Sequence, residues 1–534
     1  MKDLIEFKKN IIAWYPIEKG KSVLEVGFDE EIFKELESKT ENVTKVENAG
    51  EISGSYDYIT LIGTFENHSI EEIKNIVAIS KAHLNQGGKI LLAMKNKFGM
   101  KYYAGEKIND KLSSFESVVN NPDGYIGYTS LKNILDELDL KYKFYYPLPD
   151  FNFTNVIFTD EFLPNKDSID ARDINLCKEE DFIVFSERDA YKELISENKD
   201  LFKYFSNSYF VEIGNDNNFE NIKYVSYGIT RRKEYQIKTI IREKDVLKSA
   251  NNSDAKSHID SISNNIDILT NAGLELLDKK EDESIVSRYL EGAKSYDEVL
   301  MNIYKEEGLD ALVEKIKEYK ENIIDKLGIL ENAEKTVFDK YEVAINDELK
   351  SKLHFTKNGV LDLIFQNTLV SDDKLYVYDQ EWFEENVPLE FILYRAIFYF
   401  TELKNTIDIN LVYEKLGLSE FKDVFEELET NIQNQIKDLD IWNMHLMTNK
   451  NVSGFSNILD NYKMQIGEAN KHAKELEEVV EKYISQIDEL NQRIGEKDAQ
   501  LEDYANQLRA IANSISWKIT KPIRSISSKL HGNK

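Results

Sequence analysis

The stretch from Lys357 to Trp382, KNGVLDLIFQNTLVSDDKLYVYDQEW, spaces polar residues through an apolar frame. Asp362 interrupts an apolar run, Asn367 follows five residues later, Asp379 ends the strand-like Leu375 to Tyr378, and Glu381 lies two residues beyond. Phosphoryl transfer asks a protein for this set: a carboxylate to orient the attacking hydroxyl, an amide oxygen on Mg²⁺, and a second carboxylate bridging the metal to nucleotide phosphates. The order assigns Asp362 to the hydroxyl and Asn367 and Asp379 to the metal. The same residues also fit a buried aspartate capping a turn and an exposed acidic hairpin end.

Upstream, Ile222 to Ile229, Tyr235 to Arg242 and Val246 to Lys248 alternate and are split by polar turns, which predicts an antiparallel meander. A helix over about Ala255 to Thr270 follows, then SRYLEG (Ser287 to Gly292), then a mixed-charge helical stretch from Glu298 to Leu327. Pro388 to Phe400 reads as a helix fit for burial. With DLIFQN and YDQEW, these segments resemble the aminoglycoside-phosphotransferase-like branch of the kinase fold. In that branch the catalytic loop reads His-Gly-Asp, four residues, then Asn, and the metal strand ends Asp-x-Glu or Asp-x-Asp, which implies that Glu381 joins Asn367 and Asp379 on the metal. The resemblance implies a two-lobed kinase-like α+β domain over residues 207–450, with ATP and Mg²⁺ as cofactors. It places Lys248 on the ATP phosphates, with Lys238 as the alternative, and makes Ser287 to Gly292 the hinge; either lysine also fits a solvated edge strand. Val360 and Leu361 replace the loop His and Gly, and the helix after the third strand has no glutamate for the lysine, Asp260 being the nearest substitute.

The chain begins as alternating strands and helices: KSVLEVG (Lys21 to Gly27), a helix from Glu30 to about Lys39, strands Val43 to Val46 and Tyr56 to Gly63, a helix from Ile70 to about Leu84, and a strand from Lys89 to Met94. Such alternation predicts a doubly wound parallel sheet that binds ligand at the carboxyl ends of its strands. The order resembles class I S-adenosylmethionine-dependent methyltransferases over residues 1–165. By position Glu25 and Gly27 match the cofactor turn, Glu47 the ribose acid, Asp57 the fourth-strand motif, and Gly87-Gly88 the late turn. Where that family has more glycines, this chain has Phe28-Asp29-Glu30-Glu31, and only about ten residues separate Glu47 from Asp57, too few for a full crossover. The expectation is a reduced Rossmann-like sheet with a damaged, vestigial S-adenosylmethionine site. Lys141 to Asp150 and Thr154 to Thr159 would supply its last antiparallel strands, and residues 166–206, with a short strand at Phe182 to Phe185, would connect the two domains.

Over residues 461–515 apolar residues recur at steps of four and three, among them Leu476, Val480, Tyr483, Ile487, Leu490, Ile494, Leu501, Tyr504 and Leu508. A 3.5-residue period sustained over several heptads predicts a coiled coil and hence a homo-oligomer; a helix folded back onto the body is the alternative. Residues 516–534 then invert the charge, with Lys518, Lys521, Arg524, Lys529 and Lys534 interleaved with Trp517, Ile519, Ile523, Ile526 and Leu530 and no acid. This suits the headgroup region of an anionic membrane, and equally a tail without fixed structure.

The whole chain has 534 residues, 41% hydrophobic and 31% charged, and a net charge of −29, which argues for several folded domains and against nucleic acid as a partner. A single cysteine, Cys177, excludes an internal disulfide framework. MKDLIEFKKN lacks the apolar core of a signal peptide, so the expected place is the cytoplasm, on the inner face of the cell membrane. Altogether the order of domains resembles methyltransferase–kinase fusions of bacterial surface-polysaccharide (O-antigen type) assembly. That implies an α/β multidomain protein that phosphorylates a lipid-linked glycan at the expense of ATP, with glycan or glycosyltransferase partners. Two other functions fit the same order: a methyltransferase acting on a glycan, and a non-catalytic membrane-associated scaffold for glycosyltransferases.

Overall fold

A computed structural model of the chain describes residues 2–27, 29–120, 123–166, 168–169, 183–331, 333–441 and 455–531. Two compact units emerge, Met1–Ser453 and Gly454–Lys534. The protein is a mixed α/β chain with a large sheet and a long C-terminal helix.

The first unit is built on strands β1 (Val23–Val26), β2 (Val43–Val46), β3 (Tyr56–Ile62) and β4 (Leu84–Lys95), which run parallel in the order β2-β1-β3-β4. Side chains alternate across the sheet: Leu24, Ile90, Leu92 and Met94 enter one core, Val23, Leu91 and Ala93 another. That period of two lets both faces be covered. The helix Ile70–Ala82 buries Ile73, Ile76 and Val77 on the first face, and the helix Glu30–Lys39 buries Ile32 and Leu36 on the second. Between β2 and β3 lies only the short turn Ala49–Glu51, so the sheet ends at β2, shortened as the spacing of Glu47 and Asp57 predicts.

β5 (Lys141–Asp150) and β6 (Phe153–Thr159) form an antiparallel pair, but β5 does not meet β4. β7 (Ser208–Gly214) is inserted between them, antiparallel to both. A strand that falls within the expected 207–450 domain, and that the sequence reading did not predict, therefore completes the first sheet. Of the expected Phe182 to Phe185 strand, Phe182 lies outside the described residues, as do Cys177 and Phe28, and Ile183 to Phe185 form no strand.

The sheet does not stop there. β8 (Ile222–Tyr227), β9 (Ile237–Arg242) and β10 (Asp245–Ala250) are the predicted meander, and β6 pairs with β8 through Val156–Ser226 and Ile157–Val225. After the short β11 (Glu275–Leu276), β12 (Asp278–Glu281) and β13 (Ser284–Arg288) extend the same sheet beyond β10, giving twelve strands among the described residues. The helix Lys256–Asn271 packs Ile259, Ile262 and Ile266 against this end.

A helical region follows. The expected long helix from Glu298 is broken at Gly308, whose φ of +89° ends Tyr296–Glu307 before Leu309–Tyr319 begins. Short strands then frame the acidic stretch. β14 (Lys294–Ser295) and β11 flank the hairpin made of β17 (Thr368–Ser371) and β18 (Lys374–Val377), while β15 (Phe355–Thr356) pairs with β20 (Val387–Pro388) and β16 (Gly359–Val360) with β19 (Phe383–Glu384). The hairpin turns on Asp372 and Asp373, at φ +49° and +59°, as a two-residue turn with both residues left-handed requires. Leu389–Phe398 is buried, and Phe391 and Tyr394 join Phe425 in the core.

In the second unit, Phe455–Asn513 is one helix of 59 residues. Leu476, Val480, Tyr483, Ile487, Leu490 and Ile494 are all exposed along it. Ser514 breaks the helix and caps Ile515–Ile519, accepting from Trp517 N–H at 3.2 Å; Lys521–His531 follows. No helix among the described residues is long and apolar enough to cross a membrane.

Candidate functional site

Lys248 stands in the middle of β10, between Thr239 of β9 and Ile285 of β13, and is buried. Its ammonium reaches out of the sheet to the segment after β18, donating to Asp379 and, at 3.0 Å, to Glu381 Oε1. Arg231, from the loop after β8, donates to Glu381 Oε2 at 2.5 Å. Two carboxylates and two cations thus converge in the wall of one cleft of about 430 Å³, which also takes in Tyr224, Ser226 and Thr239 of the sheet. Burial works against the Lys248 ammonium, but Asp379 and Glu381 outweigh it and hold its pKa above the ordinary lysine value. Burial pushes the Asp379 carboxyl up, against the pull of Lys248. For Glu381 the balance is reversed: burial is overcome by Arg231 and Lys248, and it stays well below the usual carboxylate range.

Asp379 sits at φ +59°, a left-handed conformation that few residues other than glycine adopt. The surrounding bonds fix it there. Its N–H donates to the buried Asp278 Oδ2 at 2.7 Å, and Asn367 Nδ2 donates to its carbonyl at 3.2 Å. The same Asn367 nitrogen donates to the Asp362 carbonyl at 3.2 Å, so one amide ties the two segments together and leaves Oδ1 as its acceptor. Two carboxylates and an amide oxygen are the protein share that Mg²⁺ ordinarily takes, with water and phosphate completing the shell. Among the described residues there is no group of three or more His, Cys, Asp or Glu that could hold a metal ion.

Asp362 is placed differently. It is buried, and its Oδ2 accepts from the backbone N–H groups of Glu381 at 2.9 Å and Trp382 at 3.0 Å. Arg395 lies 3.4 Å from Oδ1 and also donates to the Leu361 carbonyl and, at 2.8 Å, to Glu429. The carboxylate therefore holds the Glu381 to Trp382 backbone, and Asp362 is not part of the cleft wall. Burial raises its pKa and Arg395 offsets part of the rise.

The helix residue expected to meet the lysine does not. Asp260 is exposed and bonded to Lys280 at 2.6 Å, and Lys238, the alternative to Lys248, donates to the Ala13 carbonyl at 2.9 Å. Lys248 is met instead by Glu381, at 3.0 Å. Sequence reasoning missed Arg231, Asp278 and Arg395; for Arg395 a signal existed, because a charge inside the apolar helix LEFILYRAIF must find a buried partner.

At the first sheet, Glu25, Gly27 and Glu47 share the carboxyl ends of β1 and β2, whereas Asp57 lies at the opposite edge, accepting from Ser22 N–H and Oγ, both at 2.9 Å. Asp29 caps the helix that follows, accepting from Glu31 and Ile32 N–H at 3.1 and 3.2 Å, so the donors that would meet an anionic ligand are already taken. Thr64 Oγ1 donates to the Val26 carbonyl at 3.0 Å, and the Phe151 ring lies against Gly63, 3.6 Å from where a Cβ would stand. Thr64 and Phe151 thus take up space at the carboxyl ends of β1 and β3. Glu47 is exposed, its N–H bonded to Glu51 at 3.3 Å.

Glu25 accepts from Asp29 N–H at 3.1 Å, but its other oxygen is buried without a partner, and burial pushes the carboxyl up to about 7. A carboxyl raised on folding contributes stability below its unfolded pKa that is lost as pH rises through the folded value. Glu25→Gln is therefore expected to match wild type in mild acid and to be more stable by about 1 kcal/mol above neutrality, read by urea unfolding at both pH values.

No protein-family model matches this chain, and neither does any curated protein. Likeness to solved structures is faint. A choline/ethanolamine kinase family protein from Mesorhizobium loti is 11% identical, with 42% of this chain and 82% of that one covered and a TM-score of 0.24. A SAM dependent methyltransferase from Archaeoglobus fulgidus is 14% identical, with 40% and 93% covered and a TM-score of 0.23. A protein described as an O-methyltransferase, from Nostoc punctiforme PCC 73102, is 12% identical, with 28% of this chain covered and a TM-score of 0.22; this chain spans 55% of its length. Scores this low leave the site's own geometry as the ground for function.

Proposed function

We propose that the cleft walled by Lys248, Asp379 and Glu381 takes Mg²⁺ and ATP, and that the chain is a kinase-like phosphotransferase. The observation that carries this reading is the meeting of Lys248, from the middle of the sheet, with Asp379 and Glu381, from the acidic stretch, in one cleft wall. Lys248 and Arg231 would exchange their carboxylate partners for phosphate oxygens, and Asp379, Glu381 and Asn367 Oδ1 would hold the cation. Bound Mg²⁺ supplies charge neutralisation of the transferring phosphoryl group.

The acceptor in this reading is a lipid-linked glycan of cell-surface polysaccharide assembly, supported by the resemblance of the domain order and by the basic, apolar-lined end of the chain. The test uses the full chain, γ-labelled ATP and a lipid-linked glycan. Label transfer is expected from wild type and not from Asp379→Asn. Asp362→Asn separates two roles. If Asp362 orients the hydroxyl, transfer is lost while Mg·ATP still binds; if it only holds the Glu381 to Trp382 backbone, both fail together.

A second reading rests on the bonded state of the Asp362 carboxylate: a non-catalytic scaffold for glycosyltransferases, in which Asp379→Ala leaves the cell's polysaccharide unchanged. A working methyltransferase is disfavoured by Asp29 and Phe151 in the crevice, and calorimetry with S-adenosylmethionine is expected to show no binding heat.

In this proposal residues 461–515 join copies of the chain as a coiled coil, and 516–534 rest on the inner face of the cell membrane. Leu490 and Ile494 are both more than half exposed in the single chain. Leu490→Asp with Ile494→Asp is expected to convert an oligomer to a monomer in sedimentation equilibrium, because two charges at seam positions oppose burial. A monomeric wild type would remove the coiled coil.

A further inference from the structure

The segment Glu381 to Trp382 separates the proposed nucleotide cleft from a second cavity of about 360 Å³, enclosed by the helix Lys256–Asn271, the residues up to Glu384 and the last turn of the helix Lys422–Ile436. His258 lines it and is only 5% exposed. The imidazole is stacked on Trp382 with centroids 4.8 Å apart, and the Tyr235 ring meets it edge-on at 5.4 Å. Its Nε2 is buried and has no hydrogen-bond partner; Glu381 Oε2, at 3.8 Å, is too far to be one. A buried polar atom without a partner costs about 1–3 kcal/mol, so a group arriving from the cavity would be held there.

The charges of the walls say what kind of group. Glu381 already has Arg231 and Lys248, and Glu384 has Lys340 at 2.6 Å and the Tyr341 hydroxyl at 2.5 Å. Each of these carboxylates is matched by its own counter-charge, so within these walls neither an anion nor an organic cation gains an ion pair without breaking one. Glu234 stands at the solvent-exposed rim, the remaining polar groups within, Ser257, Ser261 and Gln435, are neutral, and Leu361, Ile432 and Ile436 add aliphatic surface. A hydroxyl both donates and accepts, so it satisfies Nε2 in either tautomer, and the C–H faces of a sugar ring suit the aliphatic wall.

We infer that this cavity binds a neutral polyhydroxylated ring, a sugar residue, with one hydroxyl on His258 Nε2. Its role as the acceptor's seat rests on the proposed phosphotransfer; its binding of a sugar does not, since neither metal nor nucleotide takes part. Saturation-transfer NMR on the full chain without nucleotide tests it, using the methyl glycosides of glucose, mannose and galactose as probes, with glucuronate and choline as the anionic and cationic controls. Saturable binding of at least one neutral glycoside is expected, about tenfold weaker in His258→Phe, which keeps a ring on Trp382 but removes Nε2. Ser261→Trp, which fills the cavity, is expected to abolish binding, and it carries the test alone should His258→Phe not fold. Mg·ATP affinity, measured separately, is expected to stay within about twofold in both variants, a change too small to reflect a lost contact. Absence of binding by all three glycosides, preference for choline or glucuronate, or unchanged binding in the folded variants would overturn the inference, whatever the nucleotide titration shows.

Discussion

Lys248→Met is expected to lower folding stability by about 3 kcal/mol near neutral pH, because it strands the Asp379 and Glu381 carboxylates without their shared ammonium. The loss sits at the low end for a broken buried pair because the Asp379 side chain is 34% exposed and water can reach it, and because Glu381 keeps Arg231. The penalty has a sign in pH. Burial already pushes the Asp379 carboxyl up, and without Lys248 it rises further. The variant's carboxylate therefore takes a proton as pH falls, and the loss relative to wild type shrinks in mild acid. Lys248→Met with Asp379→Asn is expected to recover most of the stability at neutral pH. Denaturant unfolding of the single and double variants reads all three results, and a Lys248→Met chain as stable as wild type would mean that the ion pair does not hold the cleft together.

The other large effect is expected at Arg395→Met. This arginine is buried at the junction of three groups: Glu429, the Leu361 carbonyl, and Asp362, whose Oδ1 is 3.4 Å away. Its removal leaves two buried carboxylates and a carbonyl short of a donor, a loss of about 3–5 kcal/mol by the same unfolding measurement. Arg395→Lys is expected to recover less than half, since one ammonium lacks the guanidinium fork that reaches three acceptors. Because Asp362 holds the backbone of Glu381 and Trp382, the damage is expected to spread to the cleft as weaker Mg·ATP binding.

Local patterns were enough for many of the elements. The strand Val43–Val46 and the helix Glu30–Lys39 stand where apolar spacing predicts them, and the strands of the meander over β8 to β10 differ by at most two residues at any end. What local patterns do not carry is which strands meet. SYFVEIG, β7, is as apolar as its neighbours, but its place between β4 and β5 is settled by pairing with residues more than sixty positions away, as in Tyr145 with Phe210. The joining of the two sheets through β6 and β8 rests on two residue pairs and has no trace in periodicity.

The site was legible to the same degree. The spacing of Asn367 and Asp379 follows from the loop and hairpin that the sequence shows, and the Asn367 amide reaches the Asp379 backbone carbonyl. The direction of the Asp362 carboxylate was not legible, because it depends on Arg395 and on two backbone N–H groups that only the fold delivers. Nor was the contact between Lys248 and Glu381, which joins β10 to a segment 133 residues further along the chain.

The central claim, a Mg²⁺–nucleotide site at Lys248, Asp379 and Glu381, is tested most directly by calorimetric titration of Mg·ATP into the full chain and into its Asp379→Asn variant. The expected result is saturable, Mg²⁺-dependent binding to wild type that weakens by about thirtyfold or more in the variant, the cost of losing a buried charged contact. A wild-type chain that gives no saturable heat, or a variant that binds as tightly as wild type, would contradict it.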